Sequence, residues 1–148
     1  MLELLLSHIP STLFHILTGV LITDLIFHGP SFTYRKTRFT LLGSVAFLVV
    51  LPDIPKLFGF LIGHSLITVP ILALLFAFIM RKLLSMRVPA IWWRLTLVLV
   101  ISSLGIDFLG NGVHLLYPVN EKTYALSVIR YEFIYLLPIG LLLFFRLR

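Results

Sequence analysis

Long apolar stretches separated by short polar breaks set the pattern of this chain. Between Leu57 and Met80 the sole ionisable side chain is His64, and the run from Phe133 to Phe145 carries no charge. Such stretches read as helices crossing a bilayer core about 30 Å thick. They predict spans at 9–28, 38–52, 60–80, 93–109 and 127–146. Pro30, Pro52, Pro55, Pro89 and Pro118 fall between or at the ends of these spans, where helices tend to stop. Pro70 and Pro138 fall inside spans, which a membrane helix tolerates when neighbouring groups satisfy the freed carbonyl. The expected fold is all-α: a polytopic transmembrane bundle of about five helices, forming one integral membrane domain over residues 1–148.

Composition agrees with this picture. Mean hydropathy is +1.08 and charged residues make up 12% of the chain, about half the usual share of a soluble domain. There is no cysteine, which removes disulfides and thiolate metal sites from consideration. The opening residues lack a basic n-region and an A-x-A-like site, so no cleaved signal peptide is expected.

A net charge of +6 would suit a nucleic-acid partner, but the basic residues gather between apolar spans, as membrane topology requires. Arg35, Lys36, Arg38, Arg81, Lys82, Arg87, Arg94, Arg146 and Arg148 share one side; Lys56, Lys122 and Arg130 share the other. The positive-inside rule then makes the first side cytoplasmic, with the N-terminus outside and the C-terminus inside. Trp92 and Trp93 beside Arg94 suit the cytoplasmic interface, and Tyr117, Tyr124 and Tyr131 the opposite one. The expected setting is a prokaryotic inner membrane, with the lipid bilayer as partner and no nucleic acid.

Measured from these cytoplasmic anchors, His15, Asp53, His64, Asp107 and Glu132 each lie 13 to 17 residues up their spans. At the α-helical rise that is about 20–26 Å, so five helices bring one ionisable group to a similar height. Groups at such depth face a bundle interior or a wet cavity, because lipid does not solvate them. Imidazoles converging with carboxylates form a nitrogen/oxygen set that suits zinc, with manganese or iron as the other candidates. Calcium or magnesium would want more oxygen donors.

Asp53 and His64 meet a geometric obstacle, since one straight helix between them would hold them about 16 Å apart. Pro52, Pro55, Gly59 and Gly63 supply the means to bend it, so a broken segment is expected around residues 52–63.

These residues also carry a family resemblance. His15-Ile-Leu-Thr-Gly19, Leu51-Pro52-Asp53-Ile54, His64-Ser65-Leu66, Asp107 and Gly112-Val113-His114-Leu115-Leu116-Tyr117-Pro118 follow one another in order. The set resembles the membrane-bound metal-dependent hydrolase-like proteins of bacteria and archaea over about residues 15–118. Pro55 and Lys56 depart from the family's usual L-P-D-I-D. Gly59 and Phe60 replace a His and an Arg, and Ser103 stands where H-x-x-x-D would have its His.

The resemblance implies a divergent member with metal ligands His15, Asp53, His64 and Asp107 and with His114 in reserve. Asp53 and Asp107 are the catalytic carboxylates, one of them as general base. His8, seven residues before His15 and so on nearly the same helical face, is a further reserve ligand. The location of the site, at this depth between apolar helices and opening to the extracytoplasmic interface, would suit a lipid or lipid-linked ester or phosphoester as substrate. A non-catalytic subunit, held by a membrane-protein partner or as a homo-oligomer, is the first rival. A small transporter or proton-coupled carrier using the carboxylate/histidine layer, with Asp24 continuing the path toward the cytoplasm, is the second.

Overall fold

The structure is a computed structural model that describes residues 2–27, 30–57, 63–129 and 131–148, with side chains described from residue 9 onward except 30–31 and 56–57. His8, Lys56, Gly59, Phe60 and Arg130, each singled out from sequence, lie outside the described side chains. The fold is all-helical, in the order α1 (Leu2–Ile26), α2 (Pro30–Thr33), α3 (Arg35–Val50), α4 (Asp53–Leu57), α5 (Thr68–Leu84), α6 (Val88–Leu99), α7 (Ile106–Leu109) and α8 (Phe133–Leu147). A π-helical turn, Val100–Gly105, joins α6 to α7. One isolated antiparallel bridge, Val113 to Tyr124, is the only β pairing among the described residues.

Three stretches are long and apolar enough to cross a membrane: Ile9–Ile26, Arg35–Pro55 and Val88–Leu109. With α5 and the shorter apolar α8 they make the expected bundle of five principal helices. Lipid tails are as apolar as leucine, so these helices associate through close packing and internal hydrogen bonds rather than through the hydrophobic effect. Small residues serve that need. Ala73 and Ala77 lie one turn apart on α5, fully buried in the core that α6 lines with Ile91, Leu95 and Val98. On α1, a Cβ added at Gly19 would stand 2.6 Å from Val49 of α3 and 3.2 Å from Ser102 of the π turn. Only glycine allows that approach, and it presses the turn carrying His15 against two neighbours.

Several boundaries differ from expectation. α5 begins at Thr68, not residue 60, and His64–Ile67 form turns ahead of it. Pro70 therefore sits in the first turn of α5, where no intrahelical amide is missed. α6 starts early, at Val88, because Pro89 is accepted in its first turn. The last helix starts at Phe133, not residue 127. Ser127 takes a left-handed φ of 50°, and the Val128 and Ile129 amides return to the Leu109 carbonyl. That return closes the end of α7, whose carbonyls would otherwise lack donors.

The bundle is clamped at its basic end. The Asp24 side chain is fully buried and accepts Arg38 Nε at 2.8 Å and Arg146 Nε at 2.8 Å on its two oxygens. Arg38 also donates to the Arg146 carbonyl at 3.0 Å. At the other end of the same helix pair, Phe14 stacks on Tyr135 with centroids 5.6 Å apart. α1 and α8 thus run parallel and are tied twice. Removing one partner of a buried ion pair leaves charge without compensation. Asp24→Ala is expected to lower unfolding stability by about 3 kcal/mol or more and to expose α8 to limited proteolysis. A variant of wild-type stability, measured by denaturant unfolding in detergent, would refute the clamp.

Candidate metal centre

The polar layer is assembled where two helices lose their regular form. At the end of α3 the chain turns at Leu51 and Pro52 into the short α4, so the Pro52 carbonyl is not drawn into a continuing helix. His64 Nδ1 donates to it at 3.0 Å. Gly63 makes this approach possible, because a Cβ there would stand 2.2 Å from the Pro52 oxygen. The next residue, Ser65, accepts the Thr68 amide on its Oγ at 3.1 Å and so caps the start of α5. The expected break between Asp53 and His64 is therefore present: their side chains meet at 3.2 Å, which a straight helix forbids.

The second irregularity is the π turn. Such turns widen the helical ladder and occur often at functional sites. Here it carries Ser102 and Ser103, both buried, one turn before Asp107. His15 Nδ1 donates to the Ser102 carbonyl at 2.5 Å. Ser103 Oγ lies 3.1 Å from His64 Nε2. The residue that departs from the resembled H-x-x-x-D pattern thus still touches the site.

Both imidazoles spend Nδ1 on a backbone carbonyl and turn Nε2 toward carboxylates. His15 Nε2 lies 3.2 Å from one oxygen of Asp107, and His64 Nε2 lies 3.3 Å from the other. His64 Nε2 is also 3.2 Å from Asp53 Oδ1. Asp53, His64 and Asp107 each offer one ligand atom within 4.8 Å of the others, a group that could hold a metal ion. His15 joins that group through Asp107, which stands between the two rings.

The separations suit a shared cation as well as ion pairing. Ligand atoms around a tetrahedral cation with bonds of about 2.1 Å stand about 3.4 Å apart. The histidine–carboxylate separations of 3.2 to 3.3 Å are close to that figure and also within reach of direct pairing.

The carboxylates differ in access. The Asp53 side chain is 27% exposed, whereas that of Asp107 is 9% exposed and fixed between two rings. Of the remaining candidates, His114 donates Nδ1 to the Glu121 carbonyl at 2.8 Å and, among the described residues, is not part of the metal-binding group. Glu132 lies at the start of α8 beside Gly110, and among the described residues it is not part of the metal-binding group. Its sequence height matched that of the others, but it stands just ahead of α8, whose helix begins at Phe133. Sequence reasoning did not find the Pro52 and Ser102 carbonyls or the role of Ser103. The Pro-rich break was a signal for the first, and nothing in residue type announces a π turn.

No family model, no curated protein and no solved structure matches this chain. Equilibrium dialysis against zinc in mild detergent is expected to load the wild type with one ion. His64→Ala should abolish loading, and His15→Ala should weaken it by roughly 10- to 100-fold through loss of its hold on Asp107. Equal zinc content in all three proteins would dismiss the centre.

Proposed function

We propose that this chain is a membrane-embedded metal-dependent hydrolase, a divergent member of the hydrolase-like family that its motifs resemble. Its substrate would be a lipid or lipid-linked ester or phosphoester. The observation that carries this reading is the convergence of Asp53, His64 and Asp107, each with one ligand atom within 4.8 Å of the others, with His15 joined to them through Asp107. Zinc is the favoured ion for this donor set, with manganese or iron as alternatives. Position supports a site near the extracytoplasmic interface of a prokaryotic inner membrane. The basic clamp of Arg38 and Arg146 lies at the opposite end of α1, nine residues from His15, and basic ends face the cytoplasm.

His64 and Asp107 would hold the ion, with Asp53 completing the shell or working beside it and His15 fixing Asp107 from the other side. When bound, such an ion supplies Lewis acidity and an activated water. The chain's own residues do the rest. The Pro52 and Ser102 carbonyls fix both imidazoles with Nε2 inward, so no reorientation is needed on loading. Asp107, almost fully buried, sets the separation of the two rings. Asp53, the more accessible carboxylate, is the better placed to take a proton from an incoming water. Ser103 Oγ, against His64 Nε2, is placed to orient that water or the scissile group.

One observation favours a second reading. Ser103, Asp53 and Asp107 all reach His64 Nε2, so protons alone could satisfy the cluster, as in a non-catalytic subunit. Hydrolysis of a lipid-phosphoester panel by the zinc-loaded protein separates the two. Asp53→Asn is expected to lower kcat by about 100-fold or more with KM little changed, and Asp53→Ala/His64→Ala to remove activity. Turnover that survives the double substitution would sink the hydrolase reading. Absence of metal after reconstitution, with stoichiometric protein partners, would establish the other.

A further inference from the structure

Beside the polar cluster, the bundle wall carries an open apolar cleft of about 320 Å³. α5 contributes Thr68, Ile71, Leu72 and Leu75, and the broken segment contributes Leu51, Pro52, Pro55 and Gly63. The α5 residues follow the spacing i, i+3, i+4, i+7, so they form one stripe about 10 Å long on a single helix face. Among the described residues Thr68 is the only polar side chain in the lining, and it sits at the end nearest the cluster.

Two lining residues place the cleft directly against the candidate centre. Pro52 precedes Asp53 and Gly63 precedes His64, and the hydrogen bond from His64 Nδ1 to the Pro52 carbonyl forms the wall between the two. From there the stripe descends along α5, away from the cluster and toward the basic end.

We propose that this cleft seats one acyl chain of a lipid whose polar head reaches Asp53, His64 and Asp107, so that the substrate class is defined by a chain as well as a head. The inference rests on the hydrolase reading for what happens at the head, but chain binding stands on its own geometry. The volume is that of a small-ligand pocket. A stripe of about two turns is too short to pack a partner helix along its length, and an acyl chain entering from the bilayer keeps its own direction. Gly63 keeps the upper end narrow, since any side chain there would collide with Pro52. The partly exposed Asp53 is the carboxylate that such a head group meets first.

The test uses the full chain in mild detergent with palmitoyl lysophosphatidic acid as probe, read by native mass spectrometry titration. Ile71 and Leu75 are 55% and 59% exposed, so Ile71→Trp/Leu75→Trp fills the cleft without disturbing the core. Leu142→Trp, at a 54% exposed position of α8 and outside the cleft lining, is the control. Wild type and control are expected to bind one probe molecule, and the filled variant to bind at least about tenfold more weakly. Equal binding by the filled variant, or equal loss in the control, would overturn the proposal. Asp53→Ala/His64→Ala, which removes the centre, is expected to retain the chain. If it does so while no metal or turnover is found in the wild type, the hydrolase reading fails and the cleft stands. Loss of the probe in that variant together with full binding by the filled one would place the lipid contact at the polar cluster alone and overturn the cleft.

Discussion

A carbonyl released inside an apolar bundle must find a donor, because lipid offers none. This chain breaks its helical ladder twice near one depth, after α3 and at the π turn, and in both places a histidine Nδ1 meets the carbonyl. The cluster depends on that constraint. Once Nδ1 is committed, Nε2 of each ring has a fixed direction, and both directions end on Asp107. Backbone satisfaction and site construction are thus one event. An Ala at His15 or His64 would leave a buried carbonyl unpaired as well as removing a ligand, so affinity and stability should fall together. Repair of the carbonyl by a neutral donor such as Asn would separate the two effects.

The helical architecture was legible because apolar runs of this length suit a bilayer and little else, and Pro30, Pro52 and Pro89 marked the breaks. Boundaries were less legible. Residues 127–132 carry no proline or glycine to stop a helix, but the Val128 and Ile129 amides are taken by Leu109, a contact that no local pattern encodes. The candidate ligands were legible as rare ionisable groups at matching heights, and Asp53, His64 and Asp107 do converge, with His15 joined through Asp107. Height along an axis carries no azimuth, however. Glu132 shared the height but is not part of the described metal-binding group, and Ser103 was read only as an absent histidine although its hydroxyl touches His64. The pairing of each imidazole with a main-chain oxygen was invisible, since it depends on how the backbone departs from helix and not on which side chains are present.

The two ends of the bundle solve opposite electrostatic problems. At the basic end a single buried carboxylate is compensated by two guanidinium groups at short range, and the charges are spent on cohesion. At the other end two imidazoles and two carboxylates converge at 3.2 to 3.3 Å, a group that could hold a metal ion.

α1 belongs to both ends, with His15 in one cluster and Asp24 in the other, nine residues apart on an unbroken helix. It therefore acts as a ruler. Nine residues span about 13 Å and two and a half turns, so the two clusters must lie at that spacing and on nearly opposite azimuths. A slip of α1 by one residue would rotate both side chains by about 100° and lose both attachments together. The depth of the candidate centre below one surface is thus set by counting residues from the clamp at the other.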